Sequence, residues 1–427
     1  MNLPRFVLAQ QHFPNRAIAD ISKHIRTELR EAGFASRVPK GAKIAVGVGS
    51  RGISNITTIV KAVIDFWKDQ GAEPFIFPAM GSHGAATAEG QADVLAHYGI
   101  HEATMGVPIV SSLDVVSQGE TPEGIETFID KHACESDGVF LVGRVKWHTD
   151  FIGSVESGLF KMMAIGLGKF AGAQRYHTYA YRMGLEKMIR SVGEKVFCCG
   201  KILGGLAIQE GAYHETAGLV AISSDEGCGA MFTKEEELLR DVKSWKANLP
   251  ASEIDILIVD EIGKNISGAG MDTKVINRRI TGEYNPFPDT PIVHRIYARS
   301  LSALTYRSAV GLGLADVIHD RLLNEVDWKP TYVNSLTAST PSAIRTPIHF
   351  SSDRHALEAI APTVGKKNLA DVTYCRIRNT LELVDVAVSE NLVPLLASNV
   401  EITSDPFEAP FDSVGDLKEF QEIPAHA

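Results

Sequence analysis

The sequence has few of the features that mark membrane, secreted or polyanion-binding proteins. It contains no run of about 18 uncharged apolar residues, so no membrane-spanning helix is expected. Its first residues, MNLPRFVLAQQHFPNR, lack the apolar stretch of a secretory signal. The 42 Lys and Arg residues are outnumbered by 52 Asp and Glu, and the resulting net charge of -10 disfavours nucleic-acid binding.

Cysteine is also scarce, with five residues of this type and no CxxC pair. An odd number of scattered cysteines is typical of reduced thiols in a cytoplasmic protein rather than of a disulfide framework or a zinc site. The HExxH metal motif and the GxSxG nucleophile motif are absent from the sequence. Any metal ion must therefore use ligands spread along the chain or arrive with a cofactor.

The chain does contain repeated strand, glycine-rich loop and helix patterns. They occur at 43–72 and 74–99, residues 138–148 are predicted to form a further strand leading into a loop, and the pattern starts afresh near residue 250. Such alternation is typical of parallel, doubly wound sheets. We predict an α/β fold of two Rossmann-like domains with mainly parallel sheets, residues 1–250 and 251–427, and an active site in the cleft between them. Residues 314–326 are predicted to form a helix.

A glycine-rich loop follows the first of these predicted strands. Gly47-Val48-Gly49-Ser50-Arg51-Gly52 matches the GxGxxG fingerprint of dinucleotide-binding proteins. The next strand, however, ends at Phe77 to Met80 without the acidic residue that would bind a ribose. Arg51 inside the loop is suited to bind a carboxylate or phosphate. An anion-binding turn, a purely structural turn and an NAD site all remain open on this pattern.

Two later loops carry candidate catalytic side chains. His83 lies between glycines in MGSHGAAT, where it could face a ligand or bond a nearby carbonyl. His148 follows the further strand predicted within 138–148. Lys161 stands in the apolar stretch LFKMMAI, which would favour a neutral, nucleophilic amine if the side chain is buried, although a lysine there could also extend into water.

The ordered set of these residues resembles the nickel-pincer-nucleotide-dependent lactate racemase superfamily. The set comprises Gly81-Ser82-His83-Gly84, Trp147-His148-Thr149, Lys161 and His177. The spacing from Lys161 to His177 is the one that this family uses between its cofactor-bearing lysine and its nickel-ligating histidine. The resemblance covers about Val46 to His177 and is looser in the C-terminal domain.

The resemblance implies a role for each residue of the set. Lys161 would carry the pyridinium cofactor through a thioamide bond, and His177 would be the protein ligand of a square-planar nickel ion. His83 and His148 would be the two acid/base groups, one on each face of the substrate, and Arg51 would lie near the substrate carboxylate. The glycine-rich stretch between the lysine and the histidine would contribute to cofactor binding through Gly166, Gly168 and Lys169.

The implied activity is racemisation or epimerisation of a 2-hydroxy acid by proton-coupled hydride transfer. The carboxylate that the family places three residues before the arginine is Val48 here, and three extra residues separate His148 from Lys161. The family's glutamine and lysine of the C-terminal domain have no clear match, and the nearest polar residues are Lys274, Asn277 and Arg279. These departures favour a larger or sugar acid over lactate. An NAD-dependent hydroxyacid oxidoreductase and a non-enzymatic anion sensor are the alternatives, and enzymes that make the cofactor are the expected partners.

Overall fold

The computed structural model describes residues 3–49, 52–81, 83–149 and 151–420. The chain divides into an N-terminal unit of residues 14–246 and a C-terminal unit that comprises residues 3–13 and 247–420. The change of unit at 246 lies close to the predicted boundary at 250. Residues 3–13, in contrast, were predicted in the N-terminal domain, and the structure places them in the other unit.

Strands and helices alternate along most of the chain, as the sequence pattern predicts. In the described residues the strands are β1 (Phe6–Gln11), β2 (Lys43–Val48), β3 (Glu73–Pro78), β4 (Val115–Glu120), β5 (Glu126–Asp130), β6 (Gly138–Arg144), β7 (Ile202–Glu210), β8 (Thr216–Ser223), β9 (Glu253–Ile262), β10 (Ile292–Leu301), β11 (Val317–His319), β12 (Ile348–Phe350), β13 (Tyr374–Ile377), β14 (Asp385–Ser389) and β15 (Val400–Ile402). The α-helices are α1 (Ile21–Glu31), α2 (Ile56–Asp69), α3 (Ala88–His97), α4 (Glu102–Met105), α5 (Lys131–Glu135), α6 (Leu159–Lys161), α7 (Lys169–Met183), α8 (Leu185–Phe197), α9 (Cys228–Trp245), α10 (Asp320–Glu325), α11 (Trp328–Thr337) and α12 (Asp353–Ile360). A π-helical turn at Met162–Gly166 continues α6.

The N-terminal unit is built on a five-stranded sheet in the order β3-β2-β6-β7-β8. The first four strands are parallel and β8 runs antiparallel to β7. Both faces of the sheet are covered, because successive residues of β2 contribute to two different apolar clusters. Ile44 and Val46 pack with α1 and α2, whereas Ala45 packs with the helices that follow β6.

The C-terminal unit contains an eight-stranded sheet in the order β12-β11-β10-β9-β13-β14-β1-β15. Its first five strands are parallel, and β14, β1 and β15 add antiparallel pairs. The predicted α/β class with mainly parallel sheets is confirmed. Strand β1 lies between β14 and β15, which explains why residues 3–13 belong to this unit.

One predicted helix begins later than the sequence pattern indicates. Residues 314–326 were predicted as a single helix, but Val317 and Ile318 are buried strand residues that pair with β10. The helix α10 starts at Asp320, and the His319 side chain caps it by accepting the backbone N–H of Arg321. Burial in the sheet therefore outweighs the helical spacing of the apolar residues. No helix in the described ranges is long and apolar enough to cross a membrane.

Candidate functional site

The candidate catalytic loops leave one edge of the five-stranded sheet. Strands β3, β2 and β6 are neighbours and run parallel, so their last residues, Pro78, Val48 and Arg144, end at the same edge. We call this edge the carboxyl edge. His83 follows β3 and His148 follows β6. Ligands of open α/β sheets bind beyond the carboxyl ends of the strands, so both histidines occupy the expected place.

The first glycine of the GxGxxG match has a packing role. Gly47 lies within β2, and a Cβ on it would lie 2.9 Å from side-chain atoms of both Phe77 and Leu141 on the neighbouring strands. Contacts this short are not tolerated, so the residue must be glycine for the sheet to pack. The match therefore does not by itself indicate a phosphate-binding turn at Gly47.

The loop that carries His83 is fixed against the start of α3. Gly84 has a φ of 62°, and a Cβ on it would lie 2.4 Å from backbone atoms of Gly90 and Gln91. The buried Gln91 amide donates to the carbonyls of Gly81 (2.8 Å) and His83 (3.4 Å). Thr87 caps α3, as predicted, by accepting the N–H of Gly90. These contacts hold the half-buried His83 at a defined place on the carboxyl edge.

The loop that carries His148 is closed by a pair of backbone hydrogen bonds. Lys146 and Ser157 exchange N–H to carbonyl bonds of 3.1 Å each. Inside the loop, the fully buried Glu156 carboxylate accepts the backbone N–H groups of His148 (2.5 Å) and Gly153 (3.1 Å). The His148 ring packs against Phe151 with centroids 4.7 Å apart. Thus His148 is anchored at both its backbone and its ring.

The segment that carries Lys161 rests on the same edge of the sheet. Met162 follows Lys161. A Cβ added to Gly143 in β6 would lie 2.2 Å from the Met162 Sδ, and a Cβ added to Gly49 after β2 would lie 3.6 Å from it. Three residues further on, Ile165 approaches Gly81 in the His83 loop, since a Cβ there would lie 2.7 Å from Ile165 Cγ2. The residues that follow Lys161 therefore pack against the ends of all three strands.

Lys161 and His177 lie close enough to interact electrostatically. The half-buried Lys161 donates to Ser157 Oγ at 3.3 Å. The pKa of His177 is lowered, first by burial and then by the positive charge of Lys161. Both effects favour the neutral imidazole, which is the form that ligates metal ions. The charge of Lys161 thus influences His177, sixteen positions further along the sequence.

The residues predicted to bind the cofactor between Lys161 and His177 have packing contacts that account for them. A Cβ on Gly166 would lie 2.8 Å from the carbonyl oxygen of Ala79, and one on Gly168 would lie 2.8 Å from that of Ala164. Lys169 is completely buried.

The Lys169 ammonium group is already fully engaged within the core. It pairs with Asp130 at 3.0 Å and donates to the carbonyl of Pro78 at 2.6 Å. Burial lowers its pKa, and the charge of Asp130 opposes that effect. Lys169 therefore ties α7 to β3 and β5 from within the core.

Two of the residues singled out in the sequence, Arg51 and Ser82, lie outside the described residues. The Arg144 guanidinium donates to the carbonyl of Gly52 (2.8 Å) and pairs with Glu210, which accepts the N–H of Ser54 at 2.8 Å. Gly52 and Ser54 are therefore held to β6 and β7.

The polar residues suggested in the C-terminal domain have local partners. Asn277 is buried, and its amide bonds the carbonyls of Phe287, Thr290 and Pro291 at 3.1 Å each. Arg279 pairs with Glu283 at 3.3 Å on the surface, and Lys274 is buried. Asn277 thus fixes a loop of the C-terminal unit.

Sequence reasoning missed two buried carboxylates in the N-terminal unit. Glu156 supports the His148 loop, as described above. Glu235 of α9 accepts the backbone N–H groups of Leu159 (2.6 Å) and Phe160 (3.2 Å), at the start of the short helix that carries Lys161. Burial raises the pKa of Glu235 to about 7, against the opposing effect of these two hydrogen bonds. A glutamate in an otherwise ordinary amphipathic helix gives no sequence signal for such a contact.

The N-terminal unit offers four side chains with three kinds of chemistry. It offers a half-buried primary amine at Lys161, an imidazole kept neutral at His177, and two further imidazoles at His83 and His148. An amine can form a covalent bond with a cofactor, a neutral imidazole can bind a metal ion, and imidazoles can move protons near neutral pH.

Comparison with known proteins gives matches among solved structures only. No protein family model matches the chain, and no curated protein matches it. The chain is similar to the lactate racemase apoprotein from Thermoanaerobacterium thermosaccharolyticum, with 13% identity, a TM-score of 0.49, and coverage of 82% of this chain and 86% of that one. It is also similar to a protein of Thermotoga maritima solved by a structural genomics consortium, with 15% identity, a TM-score of 0.47, and coverage of 67% and 72%. Similarity at this level assigns no residue role and no substrate.

Proposed function

We propose that this protein is a racemase or epimerase that inverts the C2 stereocentre of a 2-hydroxy acid with a covalently attached nickel-pincer nucleotide. The observation that carries the proposal is that one sheet edge bears the His83 loop, the His148 loop and the segment after Lys161, while the charge of Lys161 helps to lower the pKa of His177. An amine, a metal-binding imidazole and two acid/base imidazoles are the groups that this chemistry requires.

The residues present fit such a cofactor. Lys161 is half-buried and donates to Ser157, and its amine would carry the cofactor through a thioamide bond. His177 offers a neutral imidazole, a suitable ligand for nickel. When bound, the cofactor would accept a hydride from C2 of the substrate and return it. Gly166 and Gly168 allow the backbone of this segment to pack closely against Ala79 and against α7.

The protein's own part in the reaction is to bind the acid and move its hydroxyl proton. One of the imidazoles of His83 and His148 accepts the proton of the C2 hydroxyl while the bond from C2 to hydrogen breaks. The 2-keto acid is planar at C2 and is kept in place between the two histidines. The other imidazole then supplies a proton to the oxygen as C2 is reduced on its opposite face. Groups with pKa values near neutrality suit both steps.

Arg51 is proposed to hold the substrate carboxylate through a charge-assisted pair, because a guanidinium binds a carboxylate with two hydrogen bonds. Its neighbour in the sequence, Gly52, accepts a hydrogen bond from Arg144, which pairs with Glu210. With Val48 in place of the family's acid, the proposed substrate is a larger or sugar acid rather than lactate.

The test is to express the chain with enzymes that make the cofactor and to measure its intact mass. Wild type should carry the mass increment and nickel, and Lys161→Ala should lack the increment. The loaded protein is then screened for chiral products on short 2-hydroxy acids and on aldonic acids. A full increment on the Lys161→Ala variant would refute the attachment, and NADH formation by unloaded protein would favour the oxidoreductase instead.

A further inference from the structure

Helix α9 sends two charged side chains to two different parts of the candidate site. Glu235 and Lys243 are eight residues apart, about two helical turns. Glu235 contacts the start of α6, which carries Lys161. Lys243 contacts Glu156, which supports the His148 loop. Glu235 lies near the middle of α9, and Lys243 lies near its C-terminal end.

The contact of Glu235 with α6 requires a glycine. One oxygen of the carboxylate accepts the N–H groups of both Leu159 and Phe160, which are among the unpaired donors of that helix start. A Cβ on the preceding residue, Gly158, would lie 2.5 Å from Cδ of Glu235. The carboxylate therefore occupies the space that a side chain at position 158 would need. Lys161 follows Gly158 within one helical turn.

The contact of Lys243 with the His148 loop is an ion pair to a fully buried carboxylate. Lys243 Nζ lies 2.5 Å from Glu156 Oε1 and donates to the carbonyl of Gly153 at 3.2 Å. The other oxygen of Glu156 accepts the backbone N–H of His148. Because Glu156 has no exposure to water, Lys243 supplies its counter-charge.

We infer that α9 is the positioning element of the site, with Glu235 setting the place of Lys161 and Lys243 setting the place of His148 through Glu156. The roles of Lys161 and His148 rest on the proposed function, whereas the contacts do not. Glu235 and Lys243 are positioning residues, since each acts through another group. The inference predicts that each contact controls one reactive side chain and leaves the other unaffected.

The test measures the chemical reactivity of the two side chains in the full-length chain expressed without the cofactor-making enzymes. Acetylation of Lys161 by acetic anhydride and modification of His148 by diethyl pyrocarbonate are followed by peptide mass spectrometry. Glu235→Leu should change the Lys161 rate by about threefold or more and leave His148 unchanged. Lys243→Met should change the His148 rate by about the same factor and leave Lys161 unchanged.

Matched variants on the same helix separate positioning from general destabilisation. Lys234 and Glu237 form an exposed pair on α9, and Lys234→Met and Glu237→Gln should change neither rate. Glu235→Gln keeps a carbonyl acceptor for the two N–H groups and should restore the wild-type Lys161 rate. Gly158→Ala displaces the carboxylate without removing it and should reproduce the effect of Glu235→Leu, which provides a second variant if that one fails to fold.

The outcomes decide the inference independently of the proposed function. It is overturned if both rates change together in each variant, if neither rate changes, or if Glu235→Gln behaves like Glu235→Leu. Labelling needs neither nickel nor substrate. A cofactor that still attaches to Lys161→Ala would therefore defeat the proposed function while leaving the labelling result intact.

Discussion

A methyl group on Gly143, near the carboxyl end of β6, would lie 2.2 Å from Sδ of Met162. Met162 is the residue after Lys161. Because Gly143 has no side chain, the segment that carries Lys161 can pack closely against β6. This segment thus packs on β6 through Met162.

We expect Gly143→Ala to destabilise the protein by about 1–3 kcal/mol, because the added methyl overpacks a buried contact. Chemical unfolding in urea measures the change. Met162→Ala removes the opposing sulfur, so the double variant should lose less stability than the sum of the two single variants. Additive losses would mean that the two residues do not press on one another.

Gly84→Ala should displace the His83 loop. The residue has a φ of 62°, and its new Cβ would meet backbone atoms at 2.4 Å, which cannot move aside as a flexible side chain can. Gly124→Ala is the matched control, since Gly124 has a φ of 76° but nothing within 4 Å of a Cβ. The control should lose about 1 kcal/mol and Gly84→Ala about 2 kcal/mol more, measured by urea unfolding. Equal losses would contradict the tight packing of the loop.

Lys169→Met should be among the most damaging single changes in the N-terminal unit. It leaves Asp130 charged and fully buried, a change that typically removes about 3–5 kcal/mol. Lys187→Met breaks an exposed pair with Glu123 at 4.0 Å and should change the free energy of unfolding by less than about 0.5 kcal/mol. If Lys169→Met proved as mild as Lys187→Met, the ammonium would not hold the core together.

Glu235 should make stability depend on pH. Its pKa is raised from 4.5 to about 7 in the folded protein, so the folded state binds a proton that the unfolded chain releases. This contribution is fully present below the unfolded pKa and is lost as pH rises through the folded pKa. Wild type should lose about 1–3 kcal/mol of this contribution between pH 5 and 8. Glu235→Gln should show a flatter profile in urea unfolding at both pH values, and an identical slope would contradict the raised pKa.

His83→Ala and His148→Ala should each keep bound nickel and lose racemisation, because each removes an acid/base group and neither removes the proposed ligand. General acid/base groups typically contribute about 10²–10⁴-fold to rate. Metal analysis and chiral chromatography of the loaded variants measure the two properties. Near-full activity in both variants would exclude the two-histidine scheme.

The sequence predicted the local parts of this structure well. The α/β class, the strands that precede His83 and His148, and the Thr87 cap all depend on patterns within a few residues. The helix start at Asp320 was missed because pairing of Val317 with β10 is a contact between distant residues. The same limit applies to β1, whose partners lie about 380 residues away.

The supporting residues of the site could not be predicted for a related reason. Glu235 is 75 residues from Phe160, and only the folded sheet brings them together. Lys169 stands in a glycine-rich stretch that favoured cofactor binding, yet its partner Asp130 lies on another strand and draws it into the core. Which lysine faces a ligand and which stabilises the core depends on burial, and local sequence does not report burial.

Strand β1 can join its sheet only late in the synthesis of the chain. The ribosome delivers Phe6–Gln11 long before its neighbours β14 and β15, which emerge only at 385–402. Residues 14–246 are contiguous and can fold in the meantime, because domains generally fold as units while translation proceeds. A nascent chain that stalls before residue 385 would leave its first strand without a sheet to join, exposed to the chaperones and proteases of the cell.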